Sequence, residues 1–350
     1  MIIAQDENKF YNAVNLIAGG DYFKIKRWRE TEASWQEVWE RHRAAAIDPE
    51  RQWEQLAASG ISLRLADDRL FPTLLREIPH PPFGLYLKGE LNTADWSAIA
   101  IVGTRRAAPA GKTVAEKLAA ALAAHRITIV SGLAFGIDAA AHRGALAAGG
   151  RTVGVLACGL DRVYPEEHAG LAEKILQAGG ALVSEYPIGA LTFPVRFLER
   201  NRIISGLSRG TVVVEAPVRS GALATARFAV EQNRDVFVVP GAVNNKNYEG
   251  SLELLKQGAA LVTCADDILN AFPDWQTTAP LLPAAAGGAR PPLADPAEEK
   301  IFAALEIAVA PLSLDGLTEI SKLELHLVTR ALTALVIREV VRENNGKYYI

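Results

Sequence analysis

Gly103-Thr104-Arg105-Arg106 sets a small hydroxyl and two guanidiniums between an apolar run, Ala98–Val102, and a helical pattern that opens at Pro109. That combination suits an anion: arginine supplies charge-assisted hydrogen bonds, and a helix start supplies unpaired backbone N–H groups. Taken alone, the motif could equally be a solvated turn with two surface arginines. Other strand ends add to it. Arg196, Arg200 and Arg202 flank Asn201 ahead of the apolar run Gly210–Glu215. Arg219-Ser220-Gly221 follows that run and opens a helix from Ala222, and Lys246 follows the run that closes at Pro240-Gly241. A Ser-Gly turn at a helix N-terminus presents free N–H groups. Cations and small residues therefore gather along one edge of one expected sheet. Successive phosphates of a nucleic-acid strand match this array. A single phosphorylated metabolite matches it too.

Other constellations carry less. Asp138 and His142 stand one helical turn apart and could form an acid/base pair or half a metal site. No second cluster lies at ligand spacing, so a structural hydrogen bond near a helix start is the favoured reading. Glu185 and Glu215 end apolar runs near the same edge, as catalytic carboxylates or as partners of the arginines. Gly111-Lys112-Thr113 lacks the earlier glycine of a phosphate-binding loop, because Arg106 stands five positions before Gly111, and it falls inside a helical pattern. No GxGxxG follows a strand, which argues against a nicotinamide or flavin enzyme. No cofactor and no metal are expected.

The elements that position these residues follow from hydropathy. Short apolar runs at Ala98–Val102, Ile127–Val130, Thr152–Ala157, Ala181–Glu185, Gly210–Glu215, Asp235–Val239 and Ala260–Thr263 predict strands buried on both faces. Between them, helical patterns are expected at Pro109–Ala124, Phe135–Leu146, His168–Gln177, Arg196–Ser205, Ala222–Gln232 and Gly250–Lys256. Strands alternating with helices predict an α/β, Rossmann-like, doubly wound and mostly parallel sheet, with ligands beyond the carboxyl ends of the strands. Residues 1–92 predict a small helical region whose Trp28, Trp35, Trp39 and Trp53 fill a core, with a Pro-punctuated extended lead-in at Leu70–Glu90. The sheet domain spans 93–272, and 273–297 reads as a Pro/Ala/Gly-rich flexible linker. Residues 298–350 suggest helices at Glu299–Leu305, Leu314–Ser321 and Leu325–Leu335. Strands at Arg338–Arg342 and Lys347–Ile350 flank Asn344-Asn345-Gly346, a winged-helix-like layout fitted to DNA or to protein contact.

Across 350 residues, 49% hydrophobic and 22% charged, the net charge is −3, so any nucleic-acid binding must use a local basic patch. No stretch is apolar and long enough to span a bilayer, and the first residues lack the pattern of a signal peptide, so no membrane contact and a cytoplasmic location are expected. Cys158 and Cys264 fall in expected buried strands, which reads as core filling in a reducing compartment.

IVGTRR, SGLAFGIDAAAH, ERNRIISGLS, VVVEAPVRSGALATARFAVEQNRDVFVVPG and KQGAAL, in that order, resemble the DNA-processing protein A (DprA/Smf) family, and FPTLLREIPHPPFGLYLKGEL matches its lead-in. The resemblance covers residues 61–272. It implies a homodimer without catalytic turnover that binds incoming single-stranded DNA during natural transformation and recombination, protects it and loads RecA. The N-terminal helical region is expected to be SAM-like, but its first 60 residues match nothing in the family. Gly103, Thr104 and Arg105 match the family's Gly-Ser/Thr-Arg motif, Arg200, Asn201 and Arg202 its Arg-Asn-Arg motif, and Ser220 and Gly221 its Ser-Gly turn, all as strand-contacting residues. Stacking on Phe193 or Phe197 would add sequence-tolerant affinity. The segment NNKNYEGSLELL after Pro240-Gly241 departs from the family's small-residue run. The alternative is a phosphoribohydrolase of the lysine-decarboxylase-like Rossmann type. It would need a Pro-Gly-Gly-x-Gly-Thr-x-x-Glu turn where Pro217-Val218-Arg219-Ser220-Gly221-Ala222 stands.

Overall fold

The computed structural model describes residues 2–91, 97–275, 295–307, 312–338, 340–344 and 347–349. The chain divides into two compact units, Met1–Gln276 and Thr277–Ile350.

The first unit opens with four helices, α1 (Ile2–Ala18), α2 (Tyr22–Arg29), α3 (Trp35–His42) and α4 (Pro49–Ala58). Asp21, Ser34 and Asp48 cap α2, α3 and α4 by accepting backbone N–H bonds, which answers the orphan donors of each first turn. Trp35 and Trp39 are buried in the core beneath them, with Trp28 and Trp53 packed at its margin. Trp28 also stacks on His42 at 4.2 Å. All four indoles thus serve packing.

The sheet follows: β1 (Ser62–Leu65), α5 (Thr73–Arg76), β2 (Gly84–Gly89), β3 (Ala98–Val102), α6 (Pro109–Ala124), β4 (Thr128–Ser131), α7 (Ile137–Ala147), β5 (Thr152–Val155), α8 (Ala169–Gln177), β6 (Ala181–Ser184), α9 (Pro194–Gly206), β7 (Gly210–Val213), α10 (Gly221–Glu231), β8 (Asp235–Val238), α11 (Glu249–Lys256), β9 (Ala260–Leu261) and α12 (Ala265–Ala271). The strand order is β1-β2-β6-β5-β4-β3-β7-β8-β9. From β6 to β9 every pairing is parallel, while β2 lies antiparallel on β6 and β1 antiparallel on β2. The mixed α/β class and the mostly parallel, doubly wound sheet are therefore as the sequence predicts. The expected start of the sheet at residue 93 needs correction, because residues 62–89 supply two of its strands.

Helices cover both faces. On one, α6 buries Ala115, Leu118, Ala119, Leu122 and Ala123 at helical spacing against Ile99, Ile101 and Ile129. On the other, Ile203, Ile204, Ala222 and Ala226 of α9 and α10 meet Ala100, Val102 and Val213. α6 and α7 approach so closely that a Cβ on Gly144 would lie 2.2 Å from the Glu116 carbonyl oxygen. Pro273–Trp275 forms a final short turn, with Trp275 buried in the first of these cores, so the unit runs past the expected boundary at 272. Cys158 is buried, but Cys264 is exposed and caps α12 from outside the sheet, because β9 is only two residues long. No helix among the described residues is long and apolar enough to cross a membrane.

The second unit holds α13 (Pro296–Ile307), β10 (Leu312–Ser313), α14 (Leu314–Ser321), α15 (Leu325–Ile337), β11 (Arg342–Asn344) and β12 (Lys347–Tyr349). β12 pairs antiparallel with both β10 and β11. Ile301, Leu317, Val328 and Leu335 close its core. The helix at Pro296 takes two residues from the expected linker; residues 276–294 of that linker, and Asn345-Gly346 of the expected hairpin turn, lie outside the described residues.

Candidate functional site

The sheet winds outward in both directions from the β3–β7 pair. The chain leaves β3 through α6 to β4 on one side, and leaves β7 through α10 to β8 on the other. Carboxyl ends that diverge in this way open a crevice, the usual ligand site of doubly wound sheets. A groove of about 650 Å³ fills it, lined by the turn after β3, the start of α10 and one face of α9.

Glu215 builds the crevice. Its fully buried carboxylate accepts the Ala108 backbone N–H through both oxygens at 3.2 Å, and also accepts from the Asn247 side-chain amide. Its backbone oxygen accepts from Thr104 N at 2.7 Å. A single residue, two positions beyond β7, thereby fixes the turn after β3 and the start of α6. Gly103 is required here, since a Cβ would lie 2.4 Å from Ile137 Cγ1. Gly111 makes room for the carboxylate: a Cβ there would lie 2.1 Å from Glu215 Oε2, so a side chain would have to displace that carboxylate from its partners, and this glycine cradles no phosphate.

Arg105, Arg106 and Arg219 stand exposed at the mouth of the groove, and among the described residues none of them pairs with a carboxylate. The Arg105 guanidinium lies 4.7 Å from the centre of the Phe197 ring, which Arg200 approaches at 5.9 Å and Tyr164 at 5.5 Å. Phe193 is 50% exposed on the rim. Ser220 caps α10 by accepting from Ala222 N at 3.2 Å, and Asn201 Nδ2 anchors the same turn through the Gly221 carbonyl at 3.1 Å. The positive end of α10 thus opens into the groove beside the arginines.

Arg200 forms the buried floor. It donates to the Gly132 carbonyl at 2.8 Å and to the Val155 carbonyl. Burial lowers its pKa to about 10, with the Asp138 charge opposing, so it remains a cation at neutral pH. Gly132 makes room for that guanidinium: a Cβ would lie 2.6 Å from Arg200 Nη2, so a larger residue would have to push the arginine off its carbonyl partners. Asp138 accepts from Gly132 N at 3.1 Å; burial raises its pKa, and Arg200 is the leading influence against that rise. His142 turns elsewhere, to Thr152 Oγ1 at 2.6 Å, and burial pushes its pKa down to about 3. Asp138 and His142 therefore have separate structural partners. Among the described residues, no group of three or more His, Cys, Asp or Glu side chains could hold a metal ion.

Three of the expected contact residues lie outside the groove. Consecutive helical residues are rotated by about 100°, so Arg200, Asn201 and Arg202 cannot share one face. Arg200 and Asn201 line the groove, while Arg202 points to the opposite side of α9 and binds both Glu185 oxygens at 2.6 and 2.5 Å, buried. Glu185 is thereby an arginine partner. Arg196 donates to the Gly19 and Leu191 carbonyls and lies over the Tyr186 ring at 4.6 Å. Lys246 is exposed in a short turn, and its neighbour Asn247 reaches the site instead, at Glu215 and at the Arg106 carbonyl. Tyr164 and Asn247 were not expected from sequence: Tyr164 sits in a bend and Asn247 in the single 3-10 turn Lys246–Tyr248, and neither carries a local pattern that announces its contacts.

Fold and groove together define a doubly wound α/β protein with a cationic crevice at its topological switch point. The family model of DNA recombination-mediator protein A matches residues 62–273, and the chain belongs to that family. Protein Smf of Escherichia coli is 45% identical over 205 residues, 59% of this chain and 55% of that protein, so the match spans little more than half of the relative's length. Protein Smf of Synechocystis is 38% identical over 315 residues, 81% of this chain and 78% of the relative. Among solved structures, DNA processing protein A of Streptococcus pneumoniae superposes with a TM-score of 0.60 at 32% identity, covering 77% of this chain and 96% of that one. The Helicobacter pylori protein, whose structure concerns its single-stranded DNA binding mode, gives 0.55 at 30% identity over 62% and 98%.

Proposed function

We propose that this chain binds single-stranded DNA in the switch-point groove, protects it, and loads RecA onto it during natural transformation and homologous recombination. One observation carries the reading: three exposed arginines with no carboxylate partner among the described residues, Arg105, Arg106 and Arg219, ring a groove that also holds the start of α10 and the Phe193, Phe197 and Tyr164 rings. Guanidiniums and helix N-termini hold phosphates without reading bases, and aromatic faces accept any base. Gly103, Thr104, Arg200, Asn201, Ser220 and Gly221 complete the proposed contact surface. The groove performs no covalent step in this reading. The recombination-mediator family supports RecA as the partner; action as a homodimer and a cytoplasmic setting complete the proposal as what the motif resemblance implies. We assign binding to the first unit, and to the second a winged-helix-like accessory role.

The test is a salt titration of oligonucleotide binding, single- against double-stranded. A single-strand preference that weakens with salt supports the reading. Tight duplex binding indifferent to Arg105→Ala would move the site to the second unit. Absence of binding to either form, with base release from a nucleoside monophosphate, would replace it with the phosphoribohydrolase activity.

A further inference from the structure

α9 has two working faces. Phe197, Arg200, Asn201 and Ile204 recur at helical spacing and form one wall of the groove. Glu199, Arg202 and Gly206 lie on the reverse side. There Glu199 accepts from the Tyr186 hydroxyl at 2.9 Å, and Arg202 is held by Glu185. The N-terminal helices close over this reverse side. The Tyr22 ring covers the Arg202 guanidinium at 5.0 Å, Asn15 donates to the Glu185 carbonyl at 3.0 Å, and Arg196 reaches the Gly19 carbonyl. Gly20, at φ +80°, fits so closely on Tyr186 that a Cβ would lie 2.6 Å from its Cδ1. Among the described residues, Arg202 Nη1 is buried without a hydrogen-bond partner, so the cation is kept in place by Glu185 and Tyr22.

We propose that Arg202 is a positioning residue: its ion pair with Glu185, covered by Tyr22 of the N-terminal helices, sets the rotation of α9 and hence the placement of Phe197, Arg200 and Asn201 in the strand-binding groove. The inference rests on the proposed strand-binding function. The residue touches no phosphate. It follows that the N-terminal helices tune affinity without contacting the ligand, because one rigid helix carries both faces. A displacement that passes along such an element shifts coupled binding by about two- to thirtyfold.

The experiment compares oligothymidylate binding of the full chain across salt concentrations for wild type, Arg105→Ala, Arg202→Met, Tyr22→Ala and the uncharged pair Glu185→Gln with Arg202→Gln, each with an unfolding curve. Tyr22→Ala leaves the ion pair intact and keeps the test usable if Arg202→Met fails to fold. Arg105→Ala deletes a phosphate ligand and so changes both affinity and salt slope. Loss of positioning in Arg202→Met or Tyr22→Ala lowers affinity within that range at the wild-type slope, with partial recovery in the uncharged pair. Wild-type affinity in a folded Arg202→Met or in Tyr22→Ala overturns the inference, as does a slope reduced to that of Arg105→Ala, which would make Arg202 a phosphate ligand itself. If wild type itself fails to bind, the strand-binding function falls and the inference falls with it.

Discussion

Replacing Arg105 by alanine removes one of the three cations at the mouth of the groove that have no carboxylate partner among the described residues, and leaves Phe197 with Arg200 and Tyr164 as neighbours. For single strands, each phosphate neutralised contributes about 0.7 to the slope of log affinity against log salt. Three such contacts give a slope of about −2.1, and two give about −1.4. A tenfold rise in salt then weakens the wild type about 130-fold and the variant about 25-fold. At the lowest salt the variant is weaker by about 1.5–3 kcal/mol, the net worth of a charge-assisted hydrogen bond, so the two titration lines converge as salt rises. Fluorescence anisotropy with a labelled oligothymidylate reads both quantities. Parallel lines, with an unchanged slope in Arg105→Ala, would refute the assignment of this arginine to a phosphate.

His142 gives a pH prediction. Its folded pKa of about 3 lies below the unfolded value of ~6.5, so the unfolded chain takes up the proton first. Its contribution to stability is full above about pH 6.5 and is lost towards about pH 3, at ~1.4 kcal/mol per unit. Urea unfolding should therefore show His142→Gln losing about 2 kcal/mol less than wild type between neutrality and about pH 5, and equal losses would refute it. Gly111→Ala drives a methyl into the Glu215 carboxylate and should cost about 1–3 kcal/mol; an unmoved urea midpoint would show that the crevice can relax. A chain ending at Gln276 retains the whole groove and should keep most of its single-strand affinity, whereas near-complete loss would place the binding surface in the second unit.

The parallel strands were legible because they are buried on both faces, and so appear as short unbroken apolar runs such as Ala98–Val102 and Gly210–Val213. β1 and β2 were not. Four residues at Ser62–Leu65 carry too little alternation to declare a strand, and β2 follows Pro81-Pro82 and pairs with β6, some hundred residues away. That the strand-end residues Gly103 to Arg106 and Arg219 to Gly221 line one groove was legible because topology alone places them at one edge. That Arg202 lies outside the groove that Arg200 and Asn201 line follows from helical rotation. The partner that settles it, Glu185, lies on another element, and no spacing in the sequence announces that pair.

α9 is also graded along its length. From Arg200 to Gly206 every residue is buried, whereas Phe193, Pro194 and Val195 at its start are exposed. Amide hydrogens of the buried half exchange only when the whole unit opens, while those of the first turn exchange through local fraying. The groove therefore has a stiff floor and a compliant rim. On the proposed strand-binding reading, Arg200 and Asn201 would present the same geometry to every occupant, while Phe193, half exposed beside Arg196, would be the part that adjusts to a purine or a pyrimidine. Indifference to base sequence would then be a mechanical property, set by where along one helix the solvent begins.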